Sequence, residues 1–323
     1  MFWASYCLAA LALVLAWPVP IALSRARWPA RSPFTAMVLW QAIALAGGLS
    51  MIGAMLTWGL EPIGDNLISA LGGLRNILLD RAPAATLGLV HVFALSAALL
   101  LSAHLIFTLL LTYYRIRRGR NRHRDMLTLL SSPSSTRPAT VVINHPAPVA
   151  YCLPGGARSV TVLSDGLLEM LSDEELSAVL SHEKAHLSQH HHLLLWAFAA
   201  WRAALPWLPT SQLAQQSVNE LIEMLADDDA LRTVPPGTLI RAVAIVGTGA
   251  QPAEGSLPGE AKGAPLPVLA SPDEQERLGT VNRLRRLLTP LPPLPAWQRT
   301  AVLLLSALLL AVPTALLVAP GMV

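Results

Sequence analysis

Four long apolar runs constrain this chain more than any other feature. They extend from Phe2 to Leu23, Phe34 to Leu60, Leu87 to Tyr113 and Thr300 to Val318. A helix needs about 20 mostly apolar residues to cross a bilayer, and each run approaches or exceeds that length. Only 13% of the residues are charged, about half of the roughly 25% usual in soluble domains. The first run has no basic start and no small-residue cleavage site, so it reads as an anchor and not a signal peptide. Gly47, Gly48 and Gly53 in the second run suit close helix contact. Gln41, His91 and His104, polar within these runs, read as groups that bond neighbouring helices. Cys7 and Cys152 lie far apart, lack metal-ligand spacing and read as packing residues.

Arginines orient the helices. Arg25, Arg27 and Arg31 follow the first run. Arg115, Arg117, Arg118, Arg120, Arg122 and Arg124 follow the third, and Arg283, Arg285, Arg286 and Arg299 precede the fourth. The loop 61–86 holds only Arg75 and Arg81, set against Glu61, Asp65 and Asp80. The positive-inside rule then puts both termini outside and residues 115–299 in the cytoplasm. The expected organisation is three membrane helices in 1–114, a cytoplasmic domain in 115–299, and a fourth helix with a short tail in 300–323. The arginine run after the third helix reads as a membrane-proximal anchor, and no direct nucleic-acid binding is expected.

Within 115–299, residues 131–138 read as a linker, "ATVVIN" and "ARSVTVLSDG" as strands, and 154–156 as a turn. Ser172 and Glu175 then form a capping box. Leu176, Val179, Leu180 and Leu187 recur at helical spacing, so a well-started helix carries "SHEKAHLSQHHH". His182 and His186, four apart, share one face. Two imidazoles so placed reach one zinc ion, and Glu183 beside the first suits a base acting on water, the His-Glu-x-x-His signature of zinc peptidases. No proline or glycine interrupts the helix as far as His192. On a regular helix His190 lies roughly 12 Å from His182 along the axis, and His191 points elsewhere. His192 has the spacing of the third histidine in metzincins, but Gln189 stands where those enzymes have a helix-breaking glycine. His190, His191 and His192 therefore read as a polar turn leading away, at most supporting the ligands from behind, and not as ligands.

A catalytic zinc takes three protein ligands and keeps one open place. The third is sought on "NELIEMLADDDAL", where Glu220, Glu223 and Asp227 share a face; spacing alone leaves Glu220 and Glu223 equal. Asp228 and Asp229 read as solvated. "LLLWAFAAWRAALPWLP" reads either as a segment resting on the inner leaflet through Trp196, Trp201 and Trp207 or as a core helix. Residues 251–272 read as a mobile loop.

"AYCLPGG", "SDGLLEMLSDEELSAVLSHEKAH" and "EMLAD" resemble the BlaR/MecR-type integral membrane zinc metallopeptidases, and are similar to the wider HtpX and CAAX-prenyl endopeptidase group. The resemblance covers nearly the whole chain and is specific over about 140–231. It implies a mainly α membrane protein whose four transmembrane helices carry a cytoplasmic α+β zincin-like domain between helices three and four. It also implies Glu223 as third ligand of a single zinc ion, with Asp227 orienting a ligand histidine. The implied activity is gluzincin-type endoproteolysis in signalling, with a BlaI/MecI-type repressor as substrate. At its C-terminus the sequence departs from that family. No Ser-x-x-Lys site or penicillin-binding sensor domain follows the fourth helix, so acylation by a β-lactam is not expected here.

The residues themselves then imply zinc held by His182, His186 and an acidic partner, with Glu183 as base and later acid. A substrate strand is expected to pair with Val160, Thr161, Val162 and Leu163. Arg283 reads as an interface residue in preference to an oxyanion donor. Membrane quality control, as in HtpX, is the rival enzyme reading. A non-catalytic zinc-binding scaffold or sensor is the rival of another class.

Overall fold

The computed structural model describes residues 1–79, 81, 83, 87–133, 140–153, 159–249 and 272–318. The expected turn at 154–156 lies outside them, as does all but the last residue of the expected loop 251–272. In chain order the elements are α1 (Phe2–Ala16), α2 (Pro18–Ser24), α3 (Pro33–Leu60), α4 (Leu67–Leu78) and α5 (Leu89–Leu130). Strands β1 (Ser131–Pro133), β2 (Thr140–Ile143), β3 (Ala150–Leu153) and β4 (Val160–Ser164) follow. Then come α6 (Asp165–Met170), α7 (Asp173–Ser188), α8 (His191–Ala204), α9 (Pro209–Ala230), α10 (Pro236–Gly249), α11 (Pro272–Leu288) and α12 (Ala296–Val318). Among the described residues, four helical stretches are long and apolar enough to cross a membrane: Phe2–Ser24, Pro33–Ile63, Leu89–Leu129 and Ala296–Val318. They fall on the four apolar runs.

Two of these differ from the sequence reading in a way the residues explain. The first breaks at Trp17, because Pro18 and Pro20 remove backbone donors. The Ala16 carbonyl would need an N–H from Pro20; instead the Thr210 hydroxyl lies 2.6 Å from it and 2.8 Å from the Leu15 carbonyl. The third does not stop at Tyr113. No proline interrupts 114–130, and α5 continues through the arginine run for 42 residues, about 63 Å at 1.5 Å per residue.

The chain forms two compact units. The first comprises Met1–Ile116, Leu193–Leu221 and Pro293–Val323. A Cβ at Gly48 would meet Trp201 Cη2 at 2.9 Å, and one at Gly53 would meet Leu317 Cδ2 at 3.0 Å, so both glycines serve close approach. Gly47 makes only ordinary contact. His104 Nε2 lies 3.0 Å from the Ala204 carbonyl, and His91 Nε2 lies 3.8 Å from Glu61. The inclusion of 193–221 departs from the single block expected over 115–299. Its cause is apolar packing: Ala204, Leu205 and Leu208 pack with Ala16, Met51, Leu101 and Leu105. Trp196 packs against Tyr113 with tilted rings, centroids 5.3 Å apart, and Trp207 is exposed. The indole N–H groups of Trp196 and Trp201 are buried, with no hydrogen-bond partner among the described residues.

The second unit comprises Arg117–His192 and Ile222–Pro292. Its sheet has the order β1-β2-β4-β3. β2 and β4 run parallel; β1 and β3 are antiparallel to their neighbours. The expected linker is therefore a strand at its start, Ser131–Pro133, and "AYCL" is an edge strand that alternation was too short to reveal. β4 lies between β2 and β3, with Val162, Leu163 and Ser164 all buried. Val160–Leu163 is paired on both sides, with β2 and β3, so it has no free ladder for a substrate strand, which corrects that expectation; among the described residues the outer strand on this side is β3.

Leu163, Leu167, Leu171 and Leu176 link sheet to helix, and Ala178 of α7 packs with Ala230, Leu239 and Ala242. α7 begins as expected. The Ser172 hydroxyl accepts from the Glu175 N–H at 3.3 Å, and a Glu175 oxygen accepts from the Ser172 N–H at 3.1 Å. Arg241 of α10 donates to the other Glu175 oxygen at 3.0 Å. The end of α7 overturns the expectation of a regular helix through His192. α7 stops at Ser188, and His190 takes a left-handed backbone, φ 52°, the one positive-φ non-glycine residue among those described. Histidine is among the few non-glycine residues enriched in that conformation.

Candidate metal centre

His182 and His186 project from one face of α7 with their Nε2 atoms 3.2 Å apart. Glu223, from α9, sets Oε2 3.3 Å from His182 Nε2 and Oε1 3.5 Å from His186 Nε2. The ligand atoms of these three lie within 4.8 Å of one another, the one such group among the described residues. Glu220, which spacing left equal to Glu223, is outside the group. Two imidazoles and one carboxylate suit zinc.

Behind this cluster the partners differ for each histidine. His182 Nδ1 lies 3.0 Å from Asp227 Oδ1, with the oxygen off the N–H axis, so the contact is more electrostatic than a linear hydrogen bond. Asp227 is only 1% exposed and receives two bonds from Arg283 of α11, 2.9 Å from Nε and 2.7 Å from Nη2. Arg283 Nη1 also lies 2.9 Å from Glu223 Oε2. The interface role expected for Arg283 is thus overturned: its side chain is 14% exposed and built into the cluster. Asp228 is not a solvated bystander either, because Arg286 pairs with it at 2.7 Å. Asp229 pairs with Arg232 at 3.5 Å, nearer the solvated reading.

His186 has a different neighbour. The turn at His190 brings His191 back, 1% exposed, with its Nδ1 3.1 Å from His186 Nδ1 and its Nε2 3.1 Å from Gln189 Oε1. On an unbroken helix His191 would point elsewhere; the turn instead gives it the supporting place behind a ligand that the reading as a polar turn left open. His190 is exposed and His192 partly so.

Electrostatics follow the contacts. Burial alone would lower the His182 pKa, but the carboxylates of Asp227 and Glu223 outweigh it and raise it to about 9. Burial lowers His186 to about 4, with Glu223 only partly opposing. Burial would raise both acids; His182 and Arg283 instead hold Glu223 at about 2, and Arg283 and His182 hold Asp227 at about 2. Glu223 remains 37% exposed, so water screens part of its coupling. Glu183 goes the other way. Burial raises its pKa, while His182 and the Cys152 backbone N–H of β3 partly oppose the rise. A carboxylate pushed toward neutrality beside a metal-ligand set is placed to exchange protons.

The arrangement defines a class: a His-His-Glu donor set on two helices, backed by an aspartate and flanked by a half-buried carboxyl. Residues 92–234 match the model of peptidase family M48. Members of that family are zinc metallopeptidases, and the match supports a metallopeptidase here. It spans both histidines, Glu183, Glu223 and Asp227, while Arg283 lies beyond it. No solved structure matches the chain.

Proposed function

We propose that this chain is an integral membrane zinc endopeptidase acting on cytosolic or membrane proteins. The observation that carries the reading is the convergence of His182, His186 and Glu223 beside Glu183. His182, His186 and Glu223 would hold one zinc ion, which supplies Lewis acidity toward water and the scissile carbonyl. Glu183 takes a proton from the attacking water as the new C–O bond forms, then returns it to the amine as the C–N bond breaks. Asp227 holds His182, and Arg283 holds Asp227 and Glu223. The substrate backbone would lie along the β3 edge, Ala150–Leu153, because its Cys152 N–H is directed at Glu183. The arginine distribution supports an active site facing the cytoplasm, with both termini outside. The resemblance of 140–231 to BlaR/MecR-type peptidases supports a BlaI/MecI-type repressor as the substrate.

A zinc-holding scaffold needs the three donors but has no use for a half-buried carboxyl at position 183. Glu183→Gln separates the two. In detergent-purified protein it should keep its zinc, while cleavage falls at least ~10²–10⁴-fold, the range for lost acid–base catalysis. Undiminished cleavage of a physiological substrate would end this mechanism. If zinc-loaded wild type cleaves nothing in cells and Glu183→Gln has no phenotype, the scaffold reading replaces it.

A further inference from the structure

The break at His190 has a chemical consequence that the reaction above does not use. His182 and His186 both turn Nε2 toward Glu223, so each needs its proton on Nδ1 to leave Nε2 a lone pair for a metal. An imidazole free to exchange tautomers spends part of its time with Nε2 blocked. Asp227 settles this for His182, since a carboxylate can only accept. Among the described residues the group facing His186 Nδ1 is a second imidazole, at 3.1 Å. An imidazole accepts through one nitrogen only when its proton sits on the other. The other nitrogen of His191 lies 3.1 Å from Gln189 Oε1, an acceptor. The chain of bonds thus has one consistent direction. His186 Nδ1–H donates to His191 Nδ1, and His191 Nε2–H donates to the Gln189 carbonyl.

We infer that His191 is a positioning residue which, oriented by Gln189, holds His186 in the tautomer that presents Nε2 to the metal. The inference rests on the proposed zinc site. It also gives the turn a reason. A left-handed non-glycine residue is strained and persists where its surroundings over-determine it. An unbroken helix would carry His191 away from His186, five residues before it and about 140° around the axis. The burial of His191 to 1% exposure shows that the turned-back position is packed and not a frayed end.

The test compares acceptors with fillers. His191→Phe keeps a ring and loses the acceptor. His191→Asn loses volume but puts an oxygen near the place of Nδ1, and His191→Gln puts one a bond too far. Zinc affinity is measured by chelator competition on the full chain in detergent, with circular dichroism to confirm folding and no reliance on cleavage. Wild type is titrated first. If it binds no zinc, the underlying site reading fails and this inference with it. If it binds, His191→Phe and His191→Gln should weaken zinc about 10–100-fold, the usual cost of losing a ligand's outer partner, and His191→Asn should restore most of the loss. Gln189→Ala, at an exposed position, should weaken zinc in the same direction and by less. A purely packing role reverses the order, with His191→Phe near wild type and His191→Asn weaker. That order, or wild-type affinity in all three His191 variants, overturns the inference. Should His191→Phe fail to fold, the contrast between His191→Asn and His191→Gln decides.

Discussion

His182 and His186 stand one turn apart on the same helix, and their surroundings drive them in opposite directions. Both are largely withdrawn from solvent, which disfavours the charged form of each. His182 nevertheless rises to about 9, because Asp227 and Glu223 face it. His186 falls to about 4, because burial and the neighbouring imidazoles of His182 and His191 outweigh the attraction of Glu223. Partner chemistry, and not depth, separates them. The charged support comes from α9 and α11, through Asp227 and Arg283. The neutral support comes from the turn that ends α7. One side of the site is held by long-range ion pairs, the other by four consecutive residues and their backbone.

The largest break in this comparison should come from Asp227→Ala. It strips His182 of the carboxylate at Nδ1 and leaves the Arg283 guanidinium with far less compensation, chiefly from Glu223. Removing one member of a buried pair costs about 3–5 kcal/mol, so unfolding of the metal-free protein in detergent should shift by that order. The two histidines should also become alike, both neutral at pH 7. An Asp227→Ala protein as stable as wild type would show that the Asp227–Arg283 pair carries no weight.

The second prediction sharpens the contrast through pH. In the metal-free protein at pH 7, His182 is protonated, while His186 is neutral and Glu223 ionised. Metal uptake must then release one proton, from His182. Affinity should climb about tenfold per pH unit up to about 9, the His182 value, and flatten above it. Stability of the metal-free protein runs the other way. The raised His182 pKa contributes stability that is fully present below the unfolded value of 6.5 and is lost as pH rises through about 9. Calorimetry in buffers of different ionisation enthalpy counts the proton directly. Release of two protons would place a charge on His186 as well and dissolve the contrast.

The smallest effect concerns what the two histidines share, the start of their helix. Ser172→Ala removes the cap of α7 and should cost about 1 kcal/mol, equally with and without metal. A loss confined to the zinc-loaded form would mean that the cap acts on the site and not on the helix.

Those same two ends show what was legible in the residues. The start of α7 could be read because Ser172 and Glu175 are three apart, and a capping box is local. The His182–His186 face follows from helical spacing alone. Glu223 could be preferred over Glu220 only through the family resemblance, since spacing left them equal. At the end of α7 a polar turn could be read, but not the direction in which it sends His191. A left-handed His190 carries no glycine or proline signal, and it is stabilised by where His191 packs. Arg283 is 56 residues from Asp227, so no local pattern joins them. β4 was recognised as a strand but mistaken for a free one, because edge or interior position depends on β3, four residues too short to show alternation.

The account rests on one donor set, and metal content tests it most directly. Elemental analysis of the detergent-purified wild type should give one zinc per chain. Glu223→Ala should lose it, while Glu220→Ala, on the same face of the same helix, should keep it. Zinc retained in Glu223→Ala, or lost in Glu220→Ala with the fold intact, would contradict the site.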